Sequence, residues 1–266
     1  MKIQALKLVC FSPTGTTRAI IQGIARGIDQ RNVELIDITK PDARKRQIHT
    51  NENELLIVAV PVYMGRIPAL LNATLNSIKA HKTPSVCVVV YGNRVFDNAL
   101  LELKDIMIKC GCIPVAAAAF IGEHSFSSRE TPIAEGRPDA FDLNHAESFG
   151  RDINEKLLSI KSLDQNFGLN IPGSYPYGGV TNLWSVDFIA ISSECNQCGI
   201  CAEACPAGAI SSKKSNLIDI EMCITCCACI KNCPQNARTM KPSVVKDAAM
   251  RLNKLYKERK EPVLFC

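Results

Sequence analysis

Along residues 1–163, short runs of consecutive apolar residues alternate with stretches whose apolar positions recur at helical spacing. The runs 3–11, 33–38, 55–63, 85–92 and 113–122 read as strands, several of them apolar on successive residues, as strands covered on both faces must be. Between them, 17–29, 68–78, 96–109 and 138–158 carry the period of amphipathic helices. Strand and helix in regular alternation imply right-handed crossovers and a parallel sheet with helices on both sides. Five such strands predict an α/β, doubly wound sheet of order 2-1-3-4-5.

Past residue 163 the pattern stops. Glycines and prolines without periodicity mark 166–190 as a connection. From 192 to 240 large apolar residues are few and nine cysteines crowd in, too little hydrocarbon for a core, so metal is expected to supply what burial does not. Residues 243–260 place Val244, Ala248, Leu252 and Leu255 on one stripe of a helix expected to pack on the body. The division expected is 1–165, a linker 166–190, a cysteine-rich unit 191–240, and a helix and tail 241–266.

Composition changes this picture little: 47% apolar and 21% charged residues are ordinary for a globular chain. The start of the chain offers neither a cleavage site nor an apolar run of membrane-spanning length, so a cytoplasmic protein without a membrane span is expected. The net charge of +5 is a mild surplus, much of it within 246–261, read as a solvated helix face or a patch for an acidic protein partner; no nucleic-acid partner is expected.

Fourteen cysteines in a chain read as cytosolic point to metal rather than disulfides. Cys195, Cys198, Cys201 and Cys205 precede Pro206, and Cys223, Cys226, Cys229 and Cys233 precede Pro234. Both are C-x2-C-x2-C-x3-C-P, the bacterial run for [4Fe-4S] clusters, in which the fourth cysteine serves the other cluster. Two crossed sets are expected: Cys195, Cys198, Cys201 with Cys233, and Cys223, Cys226, Cys229 with Cys205. Tetrahedral zinc, the competing reading, has no use for a third cysteine at the same step. Cys227 is read as a residue of no required type, a spare thiol or an alternative ligand.

The loop after the first strand, "CFSPTGTTRAI", suits a phosphate monoester at a helix N-terminus, held by backbone N–H groups and the hydroxyls of Ser12, Thr14, Thr16 and Thr17, with Gly15 allowing close approach; an ordinary helix cap is the other reading. Pro13 removes one donor. After the third and fourth strands, Tyr63, Met64 and Gly65, then Gly92, Asn93 and exposed amides, lie at the carboxyl edge where such sheets bind ligands, placed to take a flat heteroaromatic ring between them.

Together "SPTGTT", "PVYMGRIP" and "YGNRVFDNAL" resemble the flavodoxin family over roughly residues 1–163, and the tail resembles two-cluster bacterial ferredoxins over roughly 192–240. The whole chain is similar to flavodoxin-ferredoxin fusions. The resemblance implies FMN, with phosphate contacts from Ser12, Thr14, Gly15, Thr16 and Thr17. It implies Tyr63, Met64 and Gly65 on one side of the ring and Gly92, Asn93 and Arg94 on the other. Many flavodoxins carry a tryptophan in the first ring loop; here Trp184 lies in the linker, and Arg66 is expected to bring positive charge to the flavin.

Two [4Fe-4S] clusters and FMN in one chain make an electron relay the expected function, exchanging electrons with other redox proteins. The alternative is an FMN-dependent reductase of a small-molecule acceptor fed through the clusters. No acid-base pair stands out beside the flavin loops, so no catalytic residue is expected. Donor, acceptor and a homodimer stay open. The loop 122–138, with His124, Arg129, Glu130 and Arg137, is expected to cover the flavin or face the cluster unit, while His49, His81 and His145 are read as surface residues.

Overall fold

A computed structural model describes residues 1–163, 167–179 and 184–266. Part of the connection read at 166–190 therefore lies outside the described residues.

Five parallel strands form the predicted sheet: β1 (Ala5–Cys10), β2 (Val33–Asp37), β3 (Glu54–Pro61), β4 (Thr83–Tyr91) and β5 (Cys112–Ile121), in the order 2-1-3-4-5. This is the flavodoxin-like order, with its switch point between β1 and β3. Alternation along the strands divides the apolar side chains between two cores. Leu6, Leu8 and Cys10 join helices α1 (Thr16–Ile28) and α4 (Ala140–Ser159) on one face. Val9 and Phe11 join α2 (Asn72–Asn76) and α3 (Ala99–Lys109) on the other. Helices α1 and α4 pack so closely that a Cβ at Gly27 or Gly150 would collide with the opposing backbone.

Beyond the linker come β6 (Ile189–Ile191), α5 (Ile200–Glu203), α6 (Ala228–Lys231), β7 (Arg238–Met240), α7 (Val244–Leu255) and β8 (Val263–Phe265). Strands β6 and β7 pair antiparallel and tie the ends of the cysteine-rich unit together. Strand β8 was not expected: the C-terminal tail returns to the first unit and pairs antiparallel with Ala117–Ala119, covering an otherwise open sheet edge.

The cysteine-rich unit does share an apolar core. Phe188, Ile189, Ile210 and Val245 pack with Phe126 and Ile133 of the long loop after β5, so that loop is the hydrophobic bridge between the two units. Polar contacts border it: Lys246 Nζ to Glu130 at 2.9 Å, Asn253 Nδ2 to the Pro132 carbonyl at 2.6 Å, and a Lys231–Glu123 ion pair. On the far side Arg44 donates to the Pro206 carbonyl at 2.7 Å. Arg137 is buried, but its partners are Asp142 and the Lys260 carbonyl, so it anchors the tail.

The stripe on α7 also differs from expectation. The helix buries Val245 and Ala249, while Val244 and Leu255 are exposed. Val244, Ala248 and Leu252 instead face a cavity.

Candidate flavin and cluster sites

Gly15 precedes α1 at φ 91° and has no side chain to cap it, so apart from the Arg18 amide the first turn of the helix is left for a ligand. The Ser12 hydroxyl accepts from the Arg18 amide at 3.0 Å, and neither Ser12 nor Gly15 lines the small cleft at this edge. Pro13, Thr14, Thr16 and Thr17 do. Thr17 Oγ1 is buried with no hydrogen-bond partner. An orphaned hydroxyl beside uncapped amides is what a phosphate monoester would satisfy, so this loop fits the phosphate of FMN.

The cleft opens into a cavity of about 610 Å³ sharing Tyr63, Tyr91, Gly92 and His124 with it. Tyr63 and Arg66 close a tight turn, each amide donating to the other's carbonyl at 2.9 and 3.0 Å, with Met64 at φ 53° and Gly65 at φ 81° between them. A Cβ on Gly65 would lie 2.6 Å from Asp97 Oδ2, so only glycine lets this loop rest against the second one. Arg66 does not bring charge to the cavity. Its guanidinium is held bidentately by the buried Glu102, both bonds 2.7 Å, beneath the ring of Tyr177 from the linker.

Asn93 is likewise turned away. At φ 63° and buried, its Nδ2 donates to the Tyr256 and Glu258 carbonyls, both at 2.8 Å, so it clasps the C-terminal tail rather than a ring. Gly92 and Arg94 remain in the lining. Against Gly92 lies the ring of His124, a residue whose type and position gave only a weak signal. Its Nδ1 accepts from the Phe126 amide at 3.0 Å, which leaves the proton of the neutral ring on Nε2. Burial holds its pKa down at about 4, with Lys231 and Arg94 pushing the same way. His124 therefore presents a fixed, neutral N–H donor. His49, His81 and His145 are exposed, as expected.

The rest of the cavity comes from distant segments: Trp184 from the linker, Val244, Ala248 and Leu252 from α7, and Ile224 and Thr225 from the second cysteine block. The chain's one tryptophan, outside the first ring loop, is thus among the residues lining this cavity. Ile224 and Thr225 stand between Cys223 and Cys226, so the cavity wall and the second block are one piece of backbone. Burial drives the Tyr63 hydroxyl well above its ordinary pKa, with Cys226 and Cys227 pushing the same way.

The cysteines gather in the crossed sets. Cys195, Cys198, Cys201 and Cys233 line one cavity together with Ser215 and Arg238; Cys205, Cys223, Cys226, Cys229 and also Cys227 line another among Phe188, Ile189, Ala209, Ile210 and Ile218. The first set includes the exposed Cys198 and the buried Cys201, with Cys195 and Cys233 half-buried; the second includes the buried Cys226 and Cys229, with Cys205 and Cys223 half-buried. Each cavity thus holds the four cysteines that the crossed assignment puts together, a donor type that fits a cuboidal iron-sulfur cluster, and the second holds Cys227 as well. The blocks also share their backbone: Gln197 and Thr225 have φ 55° and 51°, Gly199 and Cys227 φ 81° and 56°. Cys227 therefore occupies a left-handed position that favours glycine, a backbone requirement the cysteine spacing does not express. Its buried thiol, pushed well up by burial, turns to the Thr225 carbonyl at 3.8 Å and packs in the apolar core.

A family model described as a 4Fe-4S binding domain matches residues 189–211, a span holding the first cysteine block. No curated protein matches the chain. Among solved structures, a flavodoxin from the domain Archaea aligns at 20% identity and TM-score 0.40, covering 58% of this chain and 99% of that one. A Streptococcus pneumonia TIGR4 flavodoxin aligns at 16% and 0.41, covering 57% and 99%. Rubredoxin oxygen:oxidoreductase from the anaerobe Desulfovibrio gigas aligns at 13% and 0.39, covering 59% of this chain and 38% of that one. The chain joins a flavodoxin-like α/β unit, defined by its strand order, to a C-terminal 4Fe-4S binding domain. No helix among the described residues is long and apolar enough to cross a membrane.

Proposed function

We propose that this chain is an electron relay in which two [4Fe-4S] clusters and FMN exchange electrons with one another and with other redox proteins. The observation that carries the reading is the shared wall: Ile224 and Thr225 belong at once to the ring cavity and to the loop between Cys223 and Cys226. Clusters pass single electrons and a flavin holds one or two, so a chain that seats both in adjoining cavities makes their exchange intramolecular.

The residues divide the work. Thr14, Thr16, Thr17 and the α1 N-terminus take the phosphate. Tyr63, Met64 and Gly65 flank the ring on one side, and Gly92 and Arg94 on the other. His124 offers its Nε2–H to a ring acceptor. Trp184, Leu252 and Ala248 exclude water from the apolar face. Cys205, Cys223, Cys226 and Cys229 hold the cluster beside the flavin, and Cys195, Cys198, Cys201 and Cys233 the one facing solvent, where a protein partner has access.

One feature favours the second reading, reduction of a small-molecule acceptor: the cavity is of ordinary ligand-pocket size, and Asp247 and Arg251 stand exposed in its lining. Iron, sulfide and FMN per chain, measured on anaerobically purified protein, test the composition. About eight iron, eight sulfide and one flavin support the relay. Full clusters without flavin, even after FMN is added, sink it. A spectral change of the bound flavin on adding quinones or nitro compounds would favour the reductase.

A further inference from the structure

The second ring loop, 92–94, is shaped by a segment far along the chain. Its turn is tight: Asn93 stands at φ 63°, and the Arg94 amide donates to the Gly92 carbonyl at 2.9 Å. Left-handed backbone on a residue with a side chain persists where its surroundings hold it. The groups that bond the Asn93 amide and the Arg94 carbonyl come from beyond α7. Asn93 Nδ2 donates to the Tyr256 and Glu258 carbonyls, both at 2.8 Å, and Lys260 Nζ donates to the Arg94 carbonyl. Gly92 and Arg94 line the ring cavity, and Tyr256 lines it with them.

The tail is in turn fastened to the flavodoxin-like unit. Val263–Phe265 pairs with Ala117–Ala119 at the sheet edge, and Phe265 packs against the apolar core on one face of that sheet. Arg259 bonds Asp139 at 2.6 Å, and Arg137 donates to the Lys260 carbonyl at 2.8 Å. Neither Arg259 nor Phe265 lines the cavity. Ala248 and Leu252 do, and they belong to the helix that runs directly into this segment. One continuous stretch thus supplies a cavity wall, bonds the ring loop and is anchored on the sheet.

We propose that residues 256–265 are a strap that retains FMN: anchored on β5 and Asp139, they hold the 92–94 loop in its ring-binding shape, with Asn93 and Lys260 as the positioning residues. This rests on the reading that the cavity takes the flavin ring. FMN leaves when the loop opens, and the loop opens when the strap lets go. Holding contacts of this kind act on dissociation more than on association. Linkage makes the effect mutual: whatever factor the strap adds to FMN affinity, bound FMN adds to closure of the strap.

The test is FMN release from the loaded full chain, followed by the rise of flavin fluorescence on dilution, in Arg259→Ser, Phe265→Asp, Lys260→Met and Lys260→Arg. The first two loosen the anchor outside the cavity, and each should speed release roughly tenfold or more, the equivalent of about 1.4 kcal/mol. Lys260→Met should do the same through the loop carbonyl, and it decides the matter if either anchor variant fails to fold. Lys260→Arg should keep release slow, because a guanidinium also donates. The second readout is trypsin cleavage after Lys257 in the unaltered chain, which follows the detached population when opening and closing are fast. Saturating FMN should slow it by a similar factor, whereas a tail with a merely structural role would be cut at the same rate with and without FMN. No FMN binding to the unaltered chain would defeat the flavin reading itself. FMN bound, with release unchanged in the variants or cleavage indifferent to FMN, would overturn this proposal alone.

Discussion

Gly92 and His124 are in contact so close that the imidazole occupies the space a side chain at 92 would need: a Cβ there would fall within the contact shell of His124 Cδ2 and Cγ. The glycine at the end of β4 is thus the floor on which a residue from β5's loop is laid, and both line the ring cavity. Gly92→Ala should push the imidazole into that cavity. FMN affinity is expected to fall roughly tenfold or more, about 1.4 kcal/mol, with iron content unchanged. Fluorescence titration of the flavin-free protein measures it; unaltered affinity would mean that the ring lies elsewhere.

Thr17 gives a prediction with two signs. Its hydroxyl is buried and unpartnered, a cost of about 1–3 kcal/mol while no ligand is present. Thr17→Val should therefore stabilise the flavin-free protein in urea unfolding. The same change should weaken FMN, through a lost hydrogen bond to a charged group of about 1.5–3 kcal/mol, and leave riboflavin, which lacks the phosphate, unaffected. Equal loss for both ligands would contradict the phosphate assignment.

His124 sets a pH dependence. Its folded pKa of about 4 lies below the ordinary value near 6.5, so between those values the unfolded chain binds the extra proton. Its contribution to stability is full above about pH 6.5 and is lost as pH falls toward 4. His124→Gln should flatten that part of the stability profile between pH 7 and 5. A profile as steep as that of the unaltered chain would show that the imidazole is not held neutral.

Asn93 binds the tail through the Tyr256 and Glu258 carbonyls. Asn93→Ala should cost about 1–3 kcal/mol in unfolding, because those partners lose their donor in a partly buried site. It should also raise the protease sensitivity of the chain beyond α7. If flavin affinity fell while the tail stayed protected, Asn93 would be a ring residue after all.

Cys227→Gly should leave iron at its full value, since Gly199 already performs the same backbone task in the first block. Loss of half the iron would make Cys227 a ligand.

Strand order was legible because it depends on local spacing: apolar runs define strands. What the sequence hid was convergence. Trp184, Thr225, Leu252 and His124 lie far apart in the chain and meet only because α7 and the loop after β5 fold over the carboxyl edge. Direction was hidden too. Arg66 and Asn93 sit in the expected loops, but Glu102 and the tail carbonyls offer better partners than a ring would, and turn them away. The backbone angle at Cys227 was hidden because residue type says little of φ, although its counterpart in the first block is Gly199. Strand β8 is short, and its pairing partner lies far back in β5.

The central claim, that flavin and clusters form one relay, is tested most directly by following flavin and cluster absorbance after a light pulse delivers one electron to dilute, anaerobic protein. The account predicts exchange between the chromophores at a rate independent of protein concentration. A rate rising in proportion to concentration, or none on the time scale of partner reduction, would contradict it.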